Sequence, residues 1–257
     1  MISRQIAGAV LCCLFPVSQS MPAECTAKSG SGIAALVELY TSEGCDSCPP
    51  ADEWLRKLPS AGFELQRVVP LALHVDYWDY IGWKDPFANA GFSARQREIA
   101  AINHTRVIYT PQIVVGGRDY RDWSSAARFK DAVSAINAKP ARADIALVLH
   151  GDEPGKYELR TEAIVSKTEE RPDAALYVAV FESGLSNRVS AGENRGATLH
   201  HDFVVRQWWG PIAFDGSGKA EINRSVMVRG VPKGGVSAFV QSRRTGEVLQ
   251  ALALPGC

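Results

Sequence analysis

The 257-residue chain has no excess charge of either sign, because its 28 lysines and arginines equal its 28 aspartates and glutamates. A balanced charge does not indicate a surface for nucleic acid or anionic lipid. The sequence lacks internal repeats, a Walker loop, a dinucleotide fingerprint and a G-x-S-x-G elbow, which argues against nucleotide-dependent enzymes and serine hydrolases. We therefore predict no nucleic-acid partner and no cofactor.

The sequence also has no apolar run that is long enough to span a membrane. A short apolar run lies near the N-terminus. Arg4 precedes an apolar run over residues 6–15, and a stretch of small residues ends at Ser20. This run is shorter than the ~20 residues that a membrane-spanning helix needs, and its layout is typical of a secretory signal peptide. We predict a signal peptide over residues 1–20, with cleavage after Ser20 or alternatively Ala23, and a periplasmic or secreted location. A membrane-tethered N-terminus is the other interpretation.

Cysteine is scarce, and four of the six cysteines lie beyond the predicted signal: Cys25, Cys45, Cys48 and Cys257. An even number of cysteines in an exported chain permits disulfides. We predict a Cys45–Cys48 disulfide. We also predict a Cys25–Cys257 disulfide, because the two ends of a chain are often close in space. The alternative for Cys25 and Cys257 is two free or intermolecularly paired thiols in mobile tails.

The sequence pattern changes near residue 140. Before it, continuous apolar runs that are typical of buried strands alternate with helix-like segments. The predicted strands are 34–40, 68–76 and 112–117, and the predicted helices are 49–59, 93–102 and 124–139. After residue 140, short segments with a period of two follow one another without a helix between them, which indicates a β-sandwich. We predict one domain over residues 30–140, with an insertion at about 77–105, and a second over 143–257.

The segment "TSEGCDSCPPADEWL" (41–55) places the cysteine pair where a buried strand passes into a helix. Pro49 suits the first turn of that helix, where its missing N–H is no loss. Unpaired N–H groups at a helix N-terminus favour a thiolate. We therefore predict that Cys45 is an exposed, attacking thiolate and that Cys48 is the covered, resolving thiol.

Two further segments accompany the cysteine pair. Thr110 and Pro111 directly precede a strand, and we predict a cis bond between them and a substrate-facing role for both residues. A trans proline that opens an edge strand is the alternative. The segment "HVDYWDYIGWKDP" (74–86) leaves the end of a predicted strand, where Tyr77 and Trp78 would contact a substrate. Packing of these aromatic residues onto the domain is the other interpretation.

Four segments together carry a resemblance: "VELYTSEGCDSCPPAD", "LHVDYWDYIGWKDPF", "ARQREIA" and "VIYTPQIVVGG". They resemble, nearly segment for segment, the exported bacterial family known as domain of unknown function 1223, a thioredoxin-like group. "GENRGATLHHDFVVR" (192–206) is similar to a motif of the same family. The resemblance implies a thioredoxin-like fold. Together with the change of pattern near residue 140, it leads us to predict an α/β thioredoxin-like N-terminal domain followed by an all-β sandwich-like C-terminal domain. It implies no substrate, because a fold does not define a function.

The predicted function is thiol–disulfide exchange, which makes the protein a candidate oxidoreductase. Asp46 and Glu43 lie beside Cys45, and their charges oppose formation of its thiolate. A strong oxidant needs a very low thiolate pKa, so we expect a reductant or an isomerase-like protein. The predicted partners are a protein or small thiol/disulfide substrate and a membrane electron donor. The oligomeric state is left open.

Two alternatives remain open from the sequence. The first is a non-catalytic binding module in which Cys45–Cys48 is a structural disulfide. The second is a copper-handling protein that uses Cys45, Cys48 and His74, whose ligand types suit copper(I) or zinc. No fourth ligand is in view, and His200 and His201 fall in the second predicted domain, so we assign no metal site. The polar residues of segment 192–206 are interpreted as a turn with interdomain contacts: Glu193, Asn194, Arg195 and His201.

Overall fold

The structure, a computed structural model, describes residues 23–153, 155–228 and 233–256. These ranges contain the following strands: β1 (Ala23–Lys28), β2 (Ala35–Thr41), β3 (Val68–His74), β4 (Gln112–Val115), β5 (Arg118–Asp119), β6 (Asp144–Glu153), β7 (Lys156–Ile164), β8 (Ala174–Glu182), β9 (Leu185–Arg188), β10 (Thr198–His201), β11 (Val204–Ala213), β12 (Lys219–Met227), β13 (Gly235–Ser242) and β14 (Val248–Pro255). The helices are α1 (Pro49–Lys57), α2 (Ala90–Ile102) and α3 (Ala126–Asn137). None of these helices is long and apolar enough to cross a membrane. The predicted signal peptide, residues 1–20, lies outside the described residues.

Eight strands form one continuous sheet in the order β14, β13, β8, β11, β3, β2, β4, β5. Strands β2 and β3 are parallel, whereas β4 runs antiparallel to β2. Strand β11 lies beside β3 through the register pair Val204–Ala72, and the Ala72 N–H donates to the Phe203 carbonyl at 2.8 Å. Four strands from each side of residue 140 therefore belong to the same sheet.

This sheet shows that the predicted fold class is wrong. An α/β thioredoxin-like domain followed by a separate all-β sandwich would leave β3 at the edge of the first sheet, whereas the structure is mostly β-sheet and extends past β3 into β11 and β8. The physical reason lies in β3, whose seven residues are all buried. An exposed edge there would leave backbone groups unpaired. The predicted domain boundaries, 30–140 and 143–257, stay a prediction.

A second, antiparallel sheet of four strands, in the order β1, β6, β7, β12, packs against the C-terminal half of the large sheet. Strand β8 is buried at all nine positions because both of its faces are covered. Val178 and Val180 belong to the core shared with the small sheet, whereas Tyr177 and Phe181 belong to the core of the N-terminal half. Strand β7 is buried at alternate positions, as expected for a sheet with one covered face.

The three helices pack onto the core around β2 and β3 through Leu55 of α1, Phe92 and Ile99 of α2 and Phe129 of α3. Helices were predicted in these three regions, and the structure confirms them, although α2 begins before the predicted residue 93. The predicted insertion at about 77–105 holds α2 and a single 3₁₀ turn, Asp79–Ile81.

Arg95 of α2 connects strands from the two halves of the large sheet. Its Nε donates to Glu38 Oε1 of β2 at 2.7 Å, and its Nη2 donates to Gln241 Oε1 of β13 at 2.9 Å. The guanidinium also lies 4.7 Å from the centre of the Tyr177 ring. Because Glu38 and Arg95 are both buried, each depends on the other for compensation of its charge.

Strands β9 and β10, which follow β8 and precede β11 in the chain, form a separate two-stranded sheet. The four residues of β10 are alternately exposed and buried. Because successive side chains of a strand point to opposite sides, Leu199 and His201 face inward and His200 faces outward. His201 therefore lies beside α1, close to the cysteine pair in space although far from it in the chain.

Candidate functional site

Cys45 and Cys48 lie between β2 and α1 and form a disulfide, with their sulfur atoms 2.10 Å apart. Cys48 directly precedes α1, and Pro49 is the first helical residue. The Cys45 Sγ also lies 3.4 Å from the Ser47 hydroxyl oxygen. The pair therefore occupies the N-terminal end of a helix, where free N–H groups would favour a thiolate after reduction.

The prediction that Cys45 is exposed is wrong, because Cys45 is 1% exposed and Cys48 is 0% exposed. The loop between β9 and β10 contacts the backbone around Cys45. The Asn194 Nδ2 donates to the Glu43 carbonyl at 2.8 Å and to the Cys45 carbonyl at 2.9 Å. Glu193 accepts a hydrogen bond from the Asp46 N–H at 3.1 Å. The C-terminal motif is therefore tied to the backbone around the buried Cys45.

The Thr110–Pro111 bond is cis, which confirms the prediction. Strand β4 pairs with β2, so this bond lies beside the chain that leads to the cysteines. The Trp78 Nε1 donates to the Thr110 Oγ1 at 2.7 Å. Trp78 also packs against Gly44, since a Cβ added at Gly44 would lie 3.1 Å from the Cβ of Trp78. Tyr77 instead donates to Gln96 of α2 at 3.1 Å. Trp78 and Thr110 thus come together near the pair, and the substrate-binding role of all four residues stays a prediction.

A cluster of buried polar side chains lies near the disulfide, and we call it the polar cluster: Glu43, Asp52, His74, Asp85 and His201. The His201 Nε2 lies 3.0 Å from Glu43 Oε1, and its Nδ1 lies 3.7 Å from Asp52 Oδ1. The His74 Nδ1 lies 2.7 Å from Asp85 Oδ2. The Asp52 Oδ2 accepts a hydrogen bond from the Thr41 hydroxyl at 2.9 Å.

The polar cluster also reaches neighbouring elements through Glu43. Its Oε2 accepts hydrogen bonds from Trp83 Nε1 and Asn187 Nδ2, both at 2.9 Å. The Glu43 N–H donates to Asp85 at 2.8 Å. Because one carboxylate has partners on three segments of the chain, it fixes the loop that carries the cysteines.

Carboxylates set the electrostatics of the polar cluster. Burial alone would lower the pKa of His201, but the adjacent Asp52 and Glu43 carboxylates raise it to about 9. Burial alone would raise the pKa of Asp85, but His74 and the N–H groups of Glu43 and Phe87 hold it below its usual value. Both shifts favour charged side chains in a region closed to solvent.

Three members of the polar cluster have the residue types of a metal site. One ligand atom each from Asp52, His74 and His201 lies within 4.8 Å of the other two, and all three residues are buried. The copper ligand set considered from the sequence, Cys45, Cys48 and His74, does not occur in this form, because the two sulfurs are bonded to each other.

Sequence reasoning missed Asp52 and His201 as members of one site. Asp52 lies one turn after Cys48 on α1, and its N–H donates to the Cys48 carbonyl. The available local signal was an acidic residue between the apolar helix residues Ala51 and Leu55, which are buried together with it. His201 was assigned to interdomain contacts, and its alternation with Leu199 was the signal that it faces inward.

Cys25 lies on β1 and takes part in a disulfide. Its predicted partner, Cys257, lies outside the described residues. The Cys25–Cys257 pairing therefore stays a prediction.

The fold and the site define a protein built on a mixed eight-stranded sheet, with a buried disulfide at a helix N-terminus beside a polar cluster. The chain belongs to the family described as protein of unknown function (DUF1223), because the model of that family matches residues 36–241. The family predicted from the sequence motifs is confirmed, whereas the description states neither export nor a thioredoxin-like character. No curated protein matches the chain.

Two solved structures are similar to this chain. Protein AGR_C_4864 from Agrobacterium tumefaciens has 26% sequence identity and a TM-score of 0.64, and the match covers 89% of this chain and 97% of that one. HBP35 of Porphyromonas gingivalis has 14% identity and a TM-score of 0.58, with 88% of this chain and 76% of that one covered. The second likeness concerns the fold alone.

Proposed function

We propose that this protein carries out thiol–disulfide exchange at Cys45 and Cys48, as a reductant or an isomerase-like protein. The observation that carries the proposal is the position of the pair at the N-terminus of α1, with the buried Asp52 carboxylate one turn further along the same helix. A helix N-terminus stabilises the attacking thiolate, and Asp52, whose N–H donates to the Cys48 carbonyl, would accept the proton of the Cys48 thiol.

The exchange begins from the reduced pair. The Cys45 thiolate attacks a substrate disulfide, forms a mixed disulfide and releases one substrate thiolate. Cys48, after losing its proton, attacks the Cys45 sulfur, which releases the second substrate thiol and leaves the Cys45–Cys48 disulfide. Two electrons pass to the substrate, so an electron-donating thiol or membrane partner must reduce the pair again.

The loop between β9 and β10 is part of the proposal, because the substrate must reach Cys45. Asn194 holds this loop to the backbone around the pair through two hydrogen bonds to carbonyls. A net contribution of about 1 kcal/mol for each hydrogen bond makes such a closure readily reversible. Trp78, Thr110 and Pro111 would then border the opened site. Tyr77 directly precedes Trp78, and its hydroxyl donates to Gln96 of α2.

The proposed location is the periplasm or the exterior of the cell. Disulfides persist in these oxidising compartments, whereas cytosolic thiols are kept reduced. The apolar run near the N-terminus supports export. Detection of the mature chain in a periplasmic or culture fraction, with its N-terminus starting at residue 21 or 24, tests this location.

The decisive experiment measures the reduction potential of the Cys45–Cys48 pair against glutathione or dithiothreitol buffers. We expect a value between about −180 and −270 mV, the range of exchange proteins. The Cys45→Ser and Cys48→Ser variants are the controls, and Cys45→Ser should lose all reductase activity towards a disulfide substrate. A potential below about −300 mV would instead mark a structural bond.

The second candidate function, a binding module with a structural disulfide, is favoured by the burial of both sulfur atoms. In that case the pair resists reduction in the folded protein, and the Cys45→Ser/Cys48→Ser variant loses stability but no binding property. The same potential measurement distinguishes the two candidates.

A further inference from the structure

We propose that Asp52, His74 and His201 form a binding site for one divalent transition-metal ion, with zinc as the preferred ion. The site would use two imidazole nitrogens and one carboxylate oxygen, a ligand set that suits zinc. The three ligand atoms come from α1, β3 and β10 and lie within 4.8 Å of one another. This proposal does not depend on the redox chemistry of the cysteines.

The first support comes from the nitrogen atoms of the two histidines. In His74, the Nδ1 is held by Asp85, and in His201 the Nε2 is held by Glu43. The remaining atoms, His74 Nε2 and His201 Nδ1, are buried and have no hydrogen-bond partner among the described residues. A buried polar atom without a partner is costly, and a metal ion would satisfy both atoms at once.

The second support is the set of contacts behind the ligands. A histidine that binds a metal usually gives its other ring nitrogen to a carboxylate, which fixes the ring and raises its basicity. Asp85 and Glu43 hold these positions, at 2.7 Å from His74 and 3.0 Å from His201. Thr41 binds one oxygen of Asp52, and the other oxygen lies 3.7 Å from His201 Nδ1. Each ligand thus has an outer partner.

Charge and access also favour a cation at this place. Three buried carboxylates, those of Glu43, Asp52 and Asp85, surround two imidazoles. The three carboxylates outnumber the two imidazoles, so negative charge is left over even when His201 carries a proton, and a divalent ion that displaces this proton would compensate it. A surface cavity lined by Asp52 and His201, together with Pro49 and Thr198, offers a path of entry. With three protein ligands, one coordination position would stay available for water or a small ligand.

The test uses the full mature chain with its disulfide intact, after removal of metal by a chelator. Zinc is titrated in competition with a chromogenic chelator, and cobalt(II) serves as the spectroscopic probe. We expect one ion per chain. The Asp52→Asn and His74→Gln variants should bind zinc at least about 10–100-fold more weakly. That is the typical loss when only an outer partner of a metal ligand is removed, and these variants remove a ligand itself. His200→Gln is the matched control, since His200 adjoins His201 but faces outward, and it should bind like the wild type.

Circular dichroism shows whether each ligand variant folds. If one does not, two further measurements still test the proposal. X-ray absorption of the zinc-loaded wild type should show nitrogen and oxygen ligands without sulfur. The Cys45→Ser/Cys48→Ser variant should bind zinc as tightly as the wild type. The proposal is overturned by the absence of zinc binding, by sulfur in the coordination shell, or by equal affinity of the folded Asp52→Asn and His200→Gln variants.

Discussion

Glu43 and His201 are 158 positions apart in the sequence, yet their side chains meet at 3.0 Å in a region closed to solvent. Glu43 belongs to the loop that carries the cysteines, and His201 ends β10. The contact therefore attaches the candidate redox loop to the C-terminal part of the chain. Several expected outcomes depend on it and on its neighbours.

Breaking this pair should cost stability. We expect His201→Gln to lower the free energy of unfolding by about 3–5 kcal/mol, because it leaves the buried Glu43 carboxylate without its charged partner. His200→Gln, at the exposed neighbouring position, should change it by less than about 0.5 kcal/mol. Urea unfolding in the presence of a chelator measures both. Adding Glu43→Gln to His201→Gln should recover part of the loss, and equal effects of the two histidine variants would contradict the role of the pair.

Arg95 provides a second test of how the two halves of the large sheet are joined. Arg95→Ala should lower the free energy of unfolding by about 3–5 kcal/mol, since Glu38 then stays buried without a counter-charge. Arg95→Lys should restore little of it, because an ammonium cannot reproduce the forked contacts to Glu38 and Gln241. Arg97→Ala is the matched control on the exposed face of α2. A wild-type denaturation curve for Arg95→Ala would exclude this role.

Removing the Asn194 side chain should open the cysteine pair. Loss of two hydrogen bonds of about 1 kcal/mol each corresponds to a roughly 30-fold shift towards the open loop. Alkylation of Cys45 in the reduced, native protein should therefore be faster in Asn194→Ala by about this factor. Arg195→Ala, at the exposed next residue, should leave the rate unchanged. If both variants react like the wild type, another element controls access to Cys45.

Asp46 is the carboxylate that should tune the redox pair. The Glu43 carboxylate already has partners in His201, Trp83 and Asn187, whereas Asp46 is exposed beside Cys45. Asp46→Asn should lower the pKa of the Cys45 thiol by up to about one unit and raise the reduction potential. Ultraviolet absorbance of the thiolate during a pH titration of the reduced protein measures the change. An unaltered pKa would show that Asp46 does not influence the thiolate.

Tyr109 should make stability depend on alkaline pH. Burial and the Asp119 carboxylate, which accepts a hydrogen bond from the Tyr109 hydroxyl at 2.7 Å, raise the pKa of Tyr109 to about 12. The unfolded value is about 10, so this contribution to stability is complete below about pH 10 and is lost as the pH rises through about 12. Asp119→Asn should shift the Tyr109 titration to lower pH. Ultraviolet titration detects it, with Tyr109→Phe to identify the signal.

Local patterns predicted the parts of the fold that depend on local interactions. Strands β2 and β3 are mostly apolar, and both are fully buried. The pairing of β11 with β3 could not be predicted in this way, because a strand with alternating residues looks the same in a separate sandwich and in an extended sheet. The continuous apolar sequence "AALYVAVFE" of β8 was a missed signal, since it indicates a strand covered on both faces.

The same distinction between local and long-range contacts applies to the candidate site. The cysteine pair and the cis bond before Pro111 follow from residues close together in the chain. The exposure of Cys45 was predicted from the helix alone, whereas Cys45 is buried and its carbonyl is bound by Asn194, about 150 residues later. Asp52 and His74 likewise meet His201 only when β10 is in place. Long-range contacts of this kind leave no periodic signal in a sequence.

The position of β3 inside the sheet has a practical consequence for anyone dividing this chain. A fragment that stops near residue 140 would lack β11, which pairs with β3 at Ala72, so a fully buried strand would become an open edge with free backbone groups. Such an edge recruits strands from other molecules. The shorter fragment would thus form intermolecular sheets and precipitate, whereas a chain that retains β11 keeps this edge paired.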